Sequence, residues 1–187
     1  LNIATFLEAN LADHPDRTAI IAGDIRMSFA EIDQAARRIA NVLRRYGIKQ
    51  GDRIGLTCPN CHWFPILYYG ILKAGAVVVP LNILFKAREV AYHLQDSGAT
   101  AYFCFGGSAG LPMAREGYAG FQQTDTCHHF WLVPGDTQAE LPDEALDSLD
   151  VLMDDASPDC ESALTSPDDT CVILYTSGTT GRPKGCL

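Results

Sequence analysis

The sequence predicts an α/β fold in which a mostly parallel sheet is flanked by helices. Between residues 53 and 105 the chain alternates strand, helix, strand, helix and strand patterns, which is typical of parallel strands joined by crossover helices. Residues 76–79 are continuously apolar, as in a strand buried on both faces. The chain has 187 residues, of which 47% are hydrophobic and 20% are charged, so it can form an apolar core of ordinary size.

The first part of the chain predicts a helix followed by a hairpin. Apolar side chains at helical spacing predict the helix over residues 3–13. Residues 18–22 and 25–27 are apolar enough for two short strands, and Gly23-Asp24 between them favours a tight turn. We therefore expect these two strands to pair with each other.

A second helix follows directly. Ser28 and Glu31 have the spacing of a capping box, in which each side chain hydrogen-bonds the other residue's backbone N–H. The apolar stripe continues to about Tyr46, and Gly47 suits the left-handed residue that ends many helices. Four arginines are predicted to lie on its solvated face: Arg37, Arg38, Arg44 and Arg45.

The central region supplies the predicted sheet. Residues 63–85 are nearly all apolar, but Lys73 and two prolines interrupt them, which favours a buried helix and strand over a membrane span. Asn60 is the predicted cap of the helix in this region. The predicted elements are strand 53–58, helix 61–74, strand 76–79, helix 86–95 and strand 100–105.

The last third of the chain is harder to assign. Residues 106–128 are rich in glycine and predict no element, whereas residues 129–133 predict a strand. Residues 134–169 are acidic and contain proline, so we interpret them as a surface connection with local helix near 144–153. A final strand is predicted at residues 170–175.

The charge distribution excludes one class of partner. The net charge is −9, and residues 116–181 contain 14 acidic side chains and no Lys or Arg. A nonspecific nucleic-acid binder needs a basic face, so nucleic acid is not expected as a partner. No pattern in the sequence specifies an oligomeric state.

Seven scattered cysteines predict reduced thiols and a cytoplasmic protein. Cys58 and Cys61 form a CxxC motif that suits a redox pair or half of a zinc site, with His62 and the pair His128-His129 as further candidates. The favoured interpretation is the packing of two small side chains, and no metal ligand is assigned.

The segment after the final strand points to a ligand. It contains glycines, four hydroxyl side chains and Lys184, which together favour a loop whose backbone N–H groups bind phosphate. It is not a Walker A loop, because Pro183 occupies the place of the required glycine and Gly185 follows the lysine. On composition alone, a flexible linker remains the alternative.

Residues 175–185 closely resemble the phosphate-loop motif of the adenylate-forming enzymes, which include acyl-CoA synthetases, peptide-synthetase adenylation domains and luciferases. The resemblance extends upstream in order and spacing and is weakest over residues 106–168. The matching segments are Ser28-Phe29-Ala30-Glu31, residues 47–54, Pro59-Asn60 and residues 72–82. Residues 87–99 are similar to the fatty-acid branch.

The resemblance implies part of the large N-terminal lobe of such an enzyme. It implies that ATP, with Mg²⁺, activates a carboxylic acid as an acyl-adenylate, and that a thiol, usually coenzyme A, takes the acyl group. The residues implied to hold the β- and γ-phosphates are Thr176, Ser177, Gly178, Thr179, Thr180, Gly181 and Lys184. Catalytic residues are expected beyond Leu187.

Enzymes of this class are about three times longer, so residues 1–187 are interpreted as a partial AMP-binding domain that is inactive alone. Two alternatives remain open at this point: an adenylation domain that loads a carrier protein, and a non-catalytic binding or interaction domain. The expected partners are small molecules. The expected location is the cytoplasm, with peripheral membrane contact left open and no transmembrane segment.

Overall fold

The computed structural model describes residues 2–108, 110–135, 139, 141–142, 146–176 and 182–187. Its helices are α1 (Thr5–Asp13), α2 (Phe29–Arg45), α3 (Trp63–Lys73), α4 (Ala87–Ser97), α5 (Met113–Phe121) and α6 (Leu149–Asp154). Its strands are β1 (Thr18–Ala22), β2 (Ile25–Ser28), β3 (Arg53–Thr57), β4 (Val77–Pro80), β5 (Ala99–Phe105), β6 (His129–Val133), β7 (Leu174–Thr176) and β8 (Lys184–Cys186).

The predicted parallel sheet is confirmed. Four strands pair in the order β4-β3-β5-β6, all parallel, and Ile54 of β3 aligns with Val78 on one side and Ala101 on the other. The chain therefore moves outward from β3 to β4 and then returns across β3 to β5. Right-handed crossovers of opposite direction place α3 and α4 on opposite faces of the sheet. The predicted pairing of β1 with β2 is also confirmed, and it is antiparallel.

Neighbouring residues of the central strands point into two separate cores. Phe103 and Trp131 are fully buried on the face covered by α2 and α3, where Leu43 packs. Tyr102 points to the opposite face and packs with Leu94 of α4. This alternation follows from the two-residue period of a strand, and burial of both faces explains why the strands are so apolar.

The predicted capping of α2 is confirmed at both ends. The Ser28 hydroxyl accepts from the Glu31 N–H at 3.2 Å, and the Glu31 carboxylate accepts from the Ser28 N–H at 2.7 Å. At the other end Gly47 has a φ of +79°, and its N–H donates to the Arg44 carbonyl at 3.0 Å. The left-handed glycine therefore ends the helix as expected.

The prediction that the α2 arginines form a solvated face is confirmed only in part, because Arg44 and Arg45 are exposed whereas Arg37 and Arg38 are half-buried. All four side chains donate to backbone carbonyls of residues 152–161, in the second half of the acidic connection (134–169). That segment is largely irregular, so many of its carbonyls lack the hydrogen bonds that a helix or sheet would provide. A guanidinium carries five N–H donors and can supply those hydrogen bonds. The bonds are Arg37 to Cys160 at 2.8 Å, Arg38 to Met153 at 3.1 Å and Ala156 at 2.6 Å, Arg44 to Glu161 at 2.7 Å, and Arg45 to Leu152 at 3.2 Å.

The apolar stretch at residues 63–85 forms a helix followed by a strand, as predicted. Asn60 is not the helix cap, however, because α3 begins after His62, and that residue makes no capping bond through its side chain. Within the part of the chain that the structure describes, no helix has the length and apolar character needed to cross a membrane.

Helical structure in the last third also differs from expectation. Helix α5 (Met113–Phe121) lies within the segment for which no element is predicted. Helix α6 begins at Leu149, five residues after the predicted start at Glu144, which lies outside the described residues. The predicted final strand is in fact a single bridge at Val172 followed by β7.

A buried ion-pair network joins the first three helices. The Lys73 ammonium, which is 0% exposed, lies 2.9 Å from Oδ1 of Asp33 and 2.6 Å from Oε1 of Glu8. Asp33 also accepts from Arg37 at 2.5 Å. Burial alone would raise the pKa of Glu8, but hydrogen bonds from Lys73 and Ser162 hold it below its ordinary value. The network thus keeps the Glu8 carboxylate ionised.

We predict that Lys73→Met lowers the free energy of unfolding by about 3 kcal/mol, because Asp33 then keeps a buried charge with one partner removed. Urea unfolding of the purified chain measures this. The matched control is Lys86→Met, since Lys86 is 65% exposed and pairs with Glu116 at 3.5 Å. That change should cost less than about 1 kcal/mol. Equal losses in the two variants would contradict the prediction.

Candidate functional site

The segment singled out by the sequence is held between two paired strands. Strands β7 and β8 are antiparallel, with Thr176 opposite Lys184 and Leu174 opposite Cys186. Of the seven residues implied to bind phosphate, these strands bring together Thr176 and Lys184, and both are exposed. The other five, at positions 177–181, lie outside the described residues. Strand β8 itself was not predicted.

The hairpin continues from the edge of the parallel sheet. The Val78 N–H donates to the Cys171 carbonyl at 3.0 Å, and the Ile173 N–H donates to the Val78 carbonyl at 2.9 Å. Residues 171–173 therefore run parallel to β4 along its free side, and β7 extends past its carboxyl end. Ligands of parallel α/β sheets bind at that edge.

Two tyrosine hydroxyls tie the hairpin to α4. Tyr175 of β7 donates to the Asp96 carboxylate at 2.7 Å, and Tyr92 donates to the Pro183 carbonyl at 2.8 Å. The Tyr175 ring also packs edge-to-face on His93, with 4.5 Å between ring centroids. Both sides of the segment are thus attached to one helix. Sequence reasoning missed these contacts, since each joins residues at least 79 positions apart.

His93 is a buried residue of α4 that lies beneath the hairpin. It is only 2% exposed, and its Nδ1 is 2.7 Å from the Glu89 carbonyl. Because a carbonyl only accepts, Nδ1 carries a proton and donates to it. Nε2 has no hydrogen-bond partner among the described residues. The ring acts as an apolar support for Tyr175.

The charges near the hairpin favour an anion. Burial, and then the hydrogen bond to Asp96, raise the pKa of Tyr175, so its hydroxyl stays protonated and donates at neutral pH. The Asp96 carboxylate therefore accepts a hydrogen bond from Tyr175 at the base of the hairpin. Arg182 and Lys184 are both exposed beside the segment, and no acidic residue lies between Thr176 and Leu187. The local charge is therefore positive in a chain whose net charge is −9.

The alternative metal site finds little support. Cys58 and Cys61 do approach each other, with 3.8 Å between their sulfurs, and His62 follows them. His129 instead stacks on Trp131, with 5.5 Å between ring centroids. Over residues 2–108 and the other described ranges, no group of three or more His, Cys, Asp or Glu side chains could hold a metal ion.

Comparison with known proteins gives consistent matches. The family model described as AMP-binding enzyme matches residues 7–187. Long-chain-fatty-acid–CoA ligase FadD13 of Mycobacterium tuberculosis is 37% identical over 164 residues, which cover 88% of this chain and 30% of that enzyme. Crotonobetaine/carnitine–CoA ligase of Escherichia fergusonii is 36% identical over 188 residues, covering 95% of this chain and 34% of that one.

Among solved structures, the anthranilate CoA ligase AuaEII, crystallised with anthranoyl-AMP, has a TM-score of 0.85 to this chain. The two are 28% identical, and the match covers 99% of this chain and 34% of the ligase. This confirms the expected fold. The chain spans about a third of the length of these relatives.

We predict that Tyr175→Phe loosens the hairpin without unfolding the sheet. The change removes the bond to Asp96, worth about 1 kcal/mol, but keeps the ring on His93. Amide hydrogen exchange should become roughly 5-fold faster in β7 and β8 and stay unchanged in α2. Adding Asp96→Ala to this variant should have no further effect. Faster exchange in the double variant would mean that the two side chains act separately.

Proposed function

The chain belongs to the family of AMP-binding enzymes, and from that premise we propose that its β7–β8 segment binds the phosphates of ATP in an acid–thiol ligase. The observation that carries this proposal is the pairing of Thr176 with Lys184 at the carboxyl edge of the sheet. A hydroxyl donor and an ammonium thereby flank the same short segment. Both groups suit a polyphosphate ligand.

The roles proposed for the segment follow from its residue types. Backbone N–H groups of Gly178 and Gly181 and the hydroxyls of Thr176, Ser177, Thr179 and Thr180 would donate to the β- and γ-phosphate oxygens. Lys184 would neutralise part of their charge. Stabilising charge on the departing phosphates is the main contribution a protein makes to such a transfer.

The proposed reaction has two steps. The carboxylate of the acid attacks the α-phosphorus of ATP, forming an acyl-adenylate and releasing pyrophosphate. A thiol then attacks the acyl carbonyl and releases AMP. The thiol is proposed to be coenzyme A, because the similar proteins are described as CoA ligases. ATP is proposed to arrive with Mg²⁺ on its phosphates, and hydroxyl oxygens are ligands that this ion accepts.

The acid is proposed to be a fatty acid, since one relative is described as a long-chain-fatty-acid–CoA ligase. The others are described as acting on crotonobetaine or carnitine and on anthranilate. The proposal therefore specifies that the substrate is a carboxylic acid but does not specify the length of its acyl chain. The cytoplasm is the proposed setting, which the seven free thiols support.

We predict that Lys184→Met weakens binding of pyrophosphate and MgATP about 5-fold, because one exposed ion pair contributes about 1 kcal/mol. Isothermal titration of the purified chain measures both ligands. Lys49→Met is the matched control, since Lys49 is exposed before β3, at the opposite edge of the sheet, and carries the same charge. Equal affinities in the two variants, or no binding by the unchanged chain, would contradict the proposal.

The ligase reaction is proposed for the whole enzyme, because this chain spans only about a third of its relatives. We expect the purified 187-residue chain to give no acid-dependent ATP–pyrophosphate exchange with a panel of fatty acids. A protein of about three times 20.3 kDa that contains this chain should give exchange. Exchange by the chain alone would show that the acid and the nucleotide are both bound within these residues.

A further inference from the structure

The CxxC motif forms a close pair of unequal thiols at the end of β3. The sulfurs of Cys58 and Cys61 are 3.8 Å apart. Cys58 is buried at 6% exposure, whereas Cys61 is partly exposed just before the first turn of α3. The Cys61 N–H donates to the Pro59 carbonyl at 2.8 Å, so a tight turn holds the two side chains side by side. Both are free thiols.

The surroundings of the two sulfurs shift the pKa values of their thiols in opposite directions. A hydrogen bond from the Cys58 thiol, together with the backbone N–H groups of Trp63 and Phe64, lowers the pKa of Cys61 to about 6 despite partial burial. The same hydrogen bond and burial raise the pKa of Cys58, which therefore keeps its proton. Cys61 is thus a thiolate at neutral pH, at the amino end of a helix, where negative charge is stabilised.

We propose that Cys58 and Cys61 are a thiol–disulfide exchange site that reacts with low-molecular-weight disulfides, with Cys61 as the attacking sulfur and Cys58 as the resolving one. The site is independent of the proposed ligase reaction. Its residues lie outside the β7–β8 segment, and the proposal needs neither ATP nor an acid.

The exchange is balanced without any further reactant. The Cys61 thiolate attacks one sulfur of a disulfide RSSR, forming a mixed disulfide and releasing RS⁻. Cys58 then loses its proton and attacks the Cys61 sulfur, which forms the Cys58–Cys61 bond and releases the second RS⁻. The two cysteines lose two electrons, and RSSR gains them. The Cys58 proton passes to one of the released RS⁻ groups, which becomes RSH, and the negative charge that Cys61 carried leaves on the other.

Packing alone does not explain this arrangement. It accounts for Cys58, which belongs to the core beneath α2 and α3. Cys61 packs against the edge of the same core, but packing does not require its sulfur to lie against Cys58 at the amino end of a helix. Cys104 and Cys127 illustrate the contrast, because burial raises the pKa of each to about 12 and leaves it protonated. Such buried thiols are inert.

The test is treatment of the purified chain with oxidised glutathione, followed by alkylation, non-reducing digestion and mass spectrometry. We expect the peptides of Cys58 and Cys61 to be joined by a disulfide. Exposed Cys186 serves as an internal control, because a glutathione adduct there shows that the reagent reached the chain. Free, alkylated Cys58 and Cys61 beside a modified Cys186 would overturn the proposal.

Two variants assign the roles. Cys58→Ser keeps a hydroxyl donor beside Cys61 but cannot resolve the mixed disulfide, so one glutathione should accumulate on Cys61. Cys61→Ser should leave Cys58 unmodified until the chain is unfolded. Circular dichroism checks that both variants fold, and Cys58→Ala replaces Cys58→Ser if the buried hydroxyl prevents folding. Equal glutathione adducts on the remaining cysteine in the two variants would contradict the assigned order.

Discussion

The pairing of residues 171–173 with Val78 determines the course of the second half of the chain. Strand β6 lies at one edge of the sheet, and this pairing lies at the other, beside β4. Asp147 and Ser148 still pair with Leu132 of β6, so the chain crosses the whole sheet between residues 148 and 171. It does so over the face formed by α2 and α3, where the α2 arginines and the Lys73 carbonyl bind it. The crossing segment has little regular secondary structure, so these hydrogen bonds take the place of the backbone hydrogen bonds that a helix or strand would make.

The same pairing makes α4 the support of the candidate site. Once residues 171–173 lie against β4, the strand that follows extends over the face covered by α4, which connects β4 to β5. Tyr92 and Asp96 are four residues apart and therefore lie on the same side of that helix. Each is hydrogen-bonded to a different arm of the hairpin. His93 lies between them and packs on Tyr175. A segment that binds a ligand through backbone groups needs such fixed ends, because the cost of ordering it is otherwise part of the binding free energy.

A feature of the fold or of the candidate site could be predicted from the sequence where the contacts that determine it join residues close together in the chain. The parallel sheet and the capping of α2 follow from periodicity and from residues three positions apart. Helix α5 was missed because Gly117 and Gly120 lower its helix propensity. Both glycines are needed because other parts of the chain approach them closely: a Cβ at Gly120 would lie 2.7 Å from the Ala87 carbonyl, and one at Gly117 would lie 2.5 Å from the Cys104 sulfur.

The arginine contacts and β8 likewise depend on partners that are distant in the sequence. In the candidate site, the phosphate-binding role of Lys184 stays a prediction from its motif, whereas the bond of Tyr175 to a carboxylate 79 residues away has no local signal in the sequence.

The proposed binding of a polyphosphate to an acidic chain raises an electrostatic question, since a net charge of −9 repels such a ligand at long range. At physiological ionic strength, charges farther apart than about 8 Å are largely screened, so the groups nearest the segment decide. Those groups are Arg182 and Lys184, whereas the Asp96 carboxylate accepts from Tyr175 at the base of the hairpin. Mg²⁺ further reduces the charge that MgATP brings. The local cations therefore decide the charge that a ligand meets at the segment, and the carboxylates of the acidic connection act mainly on solubility and encounter rates.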